Sequence, residues 1–132
     1  MSLVVAWIVA AIVFLALDAI WLTTMNDRLY RPLIGELLAP APSLPPAIAF
    51  YLIYISGLVF FAISPGLERA SLSKTLISAA AFGFVAYATY DLTNQATLRI
   101  WDVRITLADL AWGAFVSAAA AGAAHLAASR VN

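Results

Sequence analysis

Apolar residues fill four long stretches of this chain, and polar positions gather between them. About 20 consecutive apolar residues are what an α-helix needs to cross the hydrocarbon of a bilayer. The pattern predicts spanning helices near 3–25, 46–63, 74–98 and 104–128. The links are short except the first. Asn26–Pro45 carries Asp27, Arg28, Arg31 and Glu36, and the chain there runs into Pro40-Ala41-Pro42-Ser43-Leu44-Pro45-Pro46, where prolines stop one helix and prepare the next. Within that link Leu29, Tyr30, Leu33, Ile34, Leu37 and Leu38 recur at helical spacing, which predicts a short interfacial helix. Ser64-Pro65-Gly66 reads as a break after the second helix, Ser71 as a start for the third, and Arg99–Arg104 as a tight turn. Short links predict an all-α, up-down, four-helix membrane bundle, a single transmembrane domain over residues 1–132.

Polar residues inside the spans stand out against this background. Asp91, in the run Tyr90-Asp91-Leu92-Thr93-Asn94, is the only charged residue between Thr75 and Leu98. An ionised carboxylate in hydrocarbon costs at least about 3 kcal/mol, so a chain keeps one where it has a partner, a wet cavity or a task. Let side A be that of the N-terminus and side B that of the first and third links. Asp18 and Asp91 then lie past the middle of helices running from A to B, and Asp109 lies early in the helix that returns. At 1.5 Å rise per residue, each sits roughly 8–12 Å from its helix end on side B. Tyr51 and Tyr54 enter the same half from the second helix. On a helical projection Gly83, Tyr87, Tyr90, Asp91 and Asn94 share a stripe about 100° wide. Phe14, Asp18 and Trp21 share one face of the first helix, and Asp109, Trp112, Gly113 and Val116 share one of the fourth. Intramembrane aspartates face bundle interiors, so the faces should converge. The expected site is a pocket of Asp18, Asp91, Asp109, Asn94, Tyr51, Tyr54, Tyr87, Tyr90, Trp21 and Trp112. Arg28, Arg31, Arg99 and Arg104 on side B are the available counter-charges, with side chains long enough to reach inward.

Composition agrees with a membrane setting: 64% of residues are hydrophobic and 11% charged, and mean hydropathy is +0.96. Too little polar surface remains to coat a soluble globule. With seven basic and seven acidic residues there is no basic face for nucleic acid. The chain has no cysteine, which excludes disulfides and thiolate sites. The absence of Lys or Arg before Trp7, and Asp18 within the apolar run, favour a retained first helix over a cleaved signal. Trp7, Trp101 and Tyr30 are expected as interface anchors. His125, alone and near side A, is expected to be solvated or interfacial, and neither a metal site nor a cofactor is implied. Gly113, Ser117 and Ala121, and likewise Ala114, Ala118 and Gly122, form small-residue rows suited to close packing within the chain or in a homodimer. Side B holds four Lys/Arg and side A three (Arg69, Lys74, Arg130), a slight bias toward a cytoplasmic side B. Asp18-Ala19-Ile20-Trp21 and Asp109-Leu110-Ala111-Trp112 echo one another, a match too short to establish duplication.

Asp18-Ala19-Ile20-Trp21-Leu22, Phe50-Tyr51-Leu52-Ile53-Tyr54 with Gly57, Tyr87-Ala88-Thr89-Tyr90-Asp91-Leu92-Thr93-Asn94, and Asp109-Leu110-Ala111-Trp112-Gly113 together resemble the bacterial domain-of-unknown-function family 2177. The resemblance covers nearly the whole chain. It implies a small multi-pass protein of the bacterial inner membrane and supplies no activity. Three functions compete. The pocket binds or transports a small or lipophilic molecule with proton-linked aspartates, Asp91 foremost. Alternatively, the chain is a membrane enzyme acting on a lipid or isoprenoid-like substrate, with Asp91 or Asp109 as acid or base and Tyr87 or Tyr90 as hydrogen-bond donor. In the third, it is a structural subunit whose polar cluster binds the helices together. No Gly-x-Ser-x-Gly, His-Glu-x-x-His, Walker or dinucleotide motif favours the enzyme.

Overall fold

Four apolar helices, each long enough to span a membrane, make up the computed structural model, which describes residues 1–131: α1 (Ser2–Leu37), α2 (Leu44–Glu68), α3 (Leu72–Thr97) and α4 (Val103–Ala128). The expected single domain over 1–132 ends on Asn132, outside the described residues. The helices run alternately up and down. α4 packs against both α1 and α3, α2 lies beside α1 and α3, and the α3–α4 pair is the most extensive interface.

Two prolines explain where the helices depart from expectation. α1 does not stop at Met25. It continues through a wide π-helical turn, Asn26–Tyr30, then Arg31–Ile34 and a tight 3₁₀ turn, Gly35–Leu37. The expected separate interfacial helix is therefore the end of α1. α2 likewise does not break at Ser64-Pro65-Gly66: it widens at Val59–Ile63 and runs on through Ser64–Glu68. Each widened turn directly precedes the turn that contains Pro32 or Pro65. A proline inside a helix lacks an N–H and crowds the carbonyl four residues back; a π-turn relieves that crowding without ending the helix. Gly66 then serves close approach, since a Cβ there would lie 1.7 Å from Thr75 Oγ1.

The remaining ends are capped locally. Ser71 Oγ accepts from the Lys74 N–H at 3.1 Å and starts α3 as expected. Asp102 accepts from the Arg104 N–H at 2.8 Å and starts α4. Arg104 also donates to that carboxylate from its guanidinium, and these hydrogen bonds hold the Asp102 carboxyl down to about 2.

One register organises the α3–α4 interface. Thr75, Ala79, Gly83, Tyr87 and Asp91 are four residues apart, as are Asp109, Gly113, Ser117, Ala121 and His125. These two rows run antiparallel. Thr75 meets His125, Gly83 approaches Ser117 and Gly113, Gly113 approaches Tyr87, and Asp91 meets Asp109. Rows of every fourth residue form the ridges that interlock in helix packing, and glycines let the backbones close. A Cβ on Gly83 would stand 2.1 Å from Gly113 O, so no other residue fits there without moving the helices apart. The small-residue row Gly113–Ser117–Ala121 is thereby buried inside the chain.

α2 leans. Its side A half, around Ala62 and Gly66, packs on α3 and α4, whereas the side B half, Leu44–Leu58, has its backbone neighbours mainly in α1. Tyr54 spans the resulting gap with its ring, against Phe82 and Tyr87 of α3, and its hydroxyl hydrogen-bonds Ser117 of α4 at 2.6 Å.

Candidate functional site

The gap left by α2 is a cavity of about 450 Å³ in the side B half of the bundle. Each helix contributes to its wall: Asp18 and Trp21 from α1, Tyr51 and Tyr54 from α2, Tyr87 and Tyr90 from α3, Asp109 and Trp112 from α4. Tyr30, Ile34 and Leu38 from the end of α1 and its link, with Trp101 from the third link, close it on side B.

Tyrosines, not arginines, meet the aspartates. Tyr51 donates its hydroxyl to Asp18 Oδ2, and Trp112 Nε1 donates to Asp18 Oδ1 at 3.3 Å. Tyr30 donates to Asp109 Oδ1 and accepts from Trp21 Nε1 at 2.9 Å. The Trp21 and Trp112 rings stack with centroids 4.5 Å apart and 10° between planes. Among the described residues, the ion pairs are Arg31–Asp27 at 3.5 Å and Arg104–Asp102 at 2.9 Å, both outside the cavity. The expectation that arginines reach back to the aspartates is therefore corrected. A phenol supplies the hydrogen bond without bringing a second charge out of water, which is the cheaper solution in a low-dielectric site.

Asp91 occupies a place of its own. It is fully buried at 0% exposure but does not line the cavity. Among the described residues no N–H or O–H donates to either of its oxygens, and its polar neighbour is the Asp109 carboxyl. Asp109 is on the cavity wall and Asp91 is not. Two neighbouring carboxyl groups form a hydrogen bond only when a proton lies between them.

The other expected residues divide. Asp18, Tyr51, Tyr54, Tyr87, Trp21, Trp112 and Asp109 come together on one wall. Tyr90 sits at the rim, 63% exposed, edge-on to Trp101 with centroids 6.3 Å apart. Asn94 is partly buried and does not line the cavity. Tyr30 and Trp101, expected as interface anchors, are cavity residues, and Trp101 donates to Thr106 Oγ1 at 3.0 Å. Trp7 lies near the other end and donates to Ser56 at 3.1 Å. His125 is not solvated: it is buried at 5% exposure, with Nδ1 2.7 Å from Thr75 Oγ1. Phe50 and Leu38 also line the cavity and were not anticipated. Pro32 was the available signal for Tyr30 and Leu38, because a proline one turn into a helical segment is compatible with a continuing, displaced helix.

Four apolar helices, each long enough to span a membrane, with an aromatic-walled cavity between them define a multi-pass integral membrane protein. Within that class, the family model described as "Predicted membrane protein (DUF2177)" matches residues 3–126, and the chain belongs to that family. No curated protein and no solved structure matches it.

Proposed function

We propose that this chain binds, and by binding carries or presents, a small amphipathic molecule drawn from the bilayer, with proton exchange at the Asp91–Asp109 pair. The setting we infer is the inner membrane of a bacterium. The observation that carries the reading is the cavity itself. About 450 Å³ between the helices falls within the usual range of small-molecule sites, and its lining, aromatic with a few convergent polar groups, is their usual chemistry. The partly exposed Phe50 and Tyr90 at the rim leave it accessible to an apolar ligand.

The proton enters through geometry. Asp91 has no protein donor and borders a carboxyl that borders the cavity. A ligand that changes the charge or hydrogen bonding of Asp109 changes the stability of the proton between the pair. The other titratable groups facing this region are Asp18, Tyr30, Tyr51, Tyr54, Tyr87 and Tyr90; Tyr30 and Tyr51 donate to carboxyl groups, and Tyr54 pairs with Ser117.

One observation favours the competing structural role. The bonds from Tyr30 and Tyr51 tie α4 to the end of α1 and α2 to α1, as interhelical glue would. Asp91→Asn separates the two readings, because Asn preserves shape and supplies its own N–H to Asp109. The full chain in lipid nanodiscs is titrated with a lipid extract while cavity tryptophan fluorescence is followed between pH 5 and 9. The proposal expects saturable binding by the parent chain with a pH-dependent midpoint. The variant should melt within a few degrees of the parent and bind with that pH dependence flattened. A parent chain that binds nothing, with a variant that fails to fold, establishes the structural role.

A further inference from the structure

The cavity wall is rich in acceptors and nearly stripped of free donors. Tyr30 and Tyr51 direct their O–H groups to carboxylates, Trp112 directs its N–H to Asp18, and Trp21 directs its own to Tyr30. Trp101, too, is engaged, with Thr106. Among the described residues, the Tyr87 and Tyr90 hydroxyls are the ones on the wall that make no hydrogen bond, and a hydroxyl accepts as readily as it donates. Among the described residues, no Lys, Arg or His lines the space. The carboxyl groups are held by neutral donors and faced by no cation, so a carboxylate that ionises here sets a negative potential that a low dielectric extends.

Such a wall rejects anions. A phosphate, sulfate or carboxylate headgroup would meet like charge and no cation. The same wall suits a cation twice over: the carboxylates attract it, and the aromatic faces offer the negative side of their quadrupoles. Asp91, fully buried and without a donor among the described residues, adds a second carboxyl beside Asp109.

We propose that the ligand is an amphipathic organic cation without an anionic group, its charged head against Asp18, Asp109 and the Trp21–Trp112 stack and its apolar body toward Phe50, Leu22 and Leu38. This rests on the reading of the cavity as a ligand site. It also separates the chain from enzymes of phosphorylated lipid or isoprenoid substrates, whose headgroups this wall would repel.

A matched pair of probes isolates the sign of charge. Tetraphenylphosphonium and tetraphenylborate share shape and differ in charge, and the neutral isoprenoid alcohol farnesol serves as the third probe. Each is titrated against the full chain in zwitterionic nanodiscs, with empty nanodiscs subtracted, by tryptophan fluorescence. The cation is expected to bind at least about tenfold more tightly than the anion. Asp109→Asn, checked for an unchanged melting temperature, should shrink that preference severalfold. Equal affinity for the two ions, or preference for tetraphenylborate, overturns the proposal. Saturable binding of farnesol without the cation overturns it too, yet leaves the ligand-site reading standing, whereas no response to any probe overturns both.

Discussion

A Cβ on Gly83 would lie 2.1 Å from a backbone oxygen and 2.4 Å from Ser117 Oγ, while a Cβ on Gly57 would meet only the tip of the Phe82 ring at 3.0 Å. A ring tip can swing aside, and a backbone carbonyl in a packed helix cannot. Gly83→Ala should therefore destabilise the bundle by about 1–3 kcal/mol. Gly57→Ala should be close to neutral, the helix-propensity gain of about 0.5–1 kcal/mol offsetting the contact. Denaturant titration of the two variants in mixed micelles checks this, and equal losses would show that α3 and α4 do not meet at this register. The aspartates were legible in sequence because a charge inside an apolar run is conspicuous whatever the fold. Their partners were not: a phenol that donates to a carboxylate looks, in sequence, like any tyrosine of the interfacial belt. Tyr30 was misplaced for that reason. Asp91 and Tyr90 mark opposite edges of a 100° stripe, so a stripe alone could not tell the residue behind the wall from the one on its rim.

At the level of elements, the four spans followed from hydropathy, and the α3 start from Ser71, because both depend only on local chemistry. The continuity of α1 and α2 through Pro32 and Pro65 did not, since whether a proline ends a helix or displaces it depends on what the following turn packs against. The end of α2 is such a case. Ala70 adopts φ of 50°, with Ser71 N–H donating to Gly66 O at 2.9 Å and Ala70 N–H to Leu67 O at 3.1 Å. This is a Schellman cap, a position that glycine occupies at no steric cost. Ala70 is exposed, so a change there alters the backbone term alone. Ala70→Gly should stabilise the chain by up to about 1 kcal/mol, seen as a raised unfolding midpoint. A lowered midpoint would mean that α2 does not end in this conformation.

The whole molecule is a wedge made by side-chain size. Ala62 and Gly66 let the side A half of α2 approach α3, and Phe50, Tyr51 and Tyr54 hold its side B half away, so the cavity opens where the large rings are. Outside, Ile12, Ile53, Phe60, Ile77, Leu107 and Phe115 are all exposed, an apolar coat that only lipid satisfies. Alternating spans then fix which links share a face. The link holding Ala41 and that holding Arg99 lie on the cavity side, and Ala70 lies opposite. Because the chain has no cysteine, single cysteines at Ala41, Arg99 and Ala70 report the arrangement without background. Ala41→Cys and Arg99→Cys should react with an impermeant maleimide from one face and Ala70→Cys only from the other. The four-to-three distribution of Lys and Arg is a slight bias that predicts a cytoplasmic Ala41 face. In intact spheroplasts Ala70→Cys should be labelled and the other two should not, with the pattern reversed in inverted vesicles. Labelling of Ala41→Cys and Ala70→Cys from the same face would break the up-down order, and with it the convergence of Asp18, Asp91 and Asp109 in one half of the membrane.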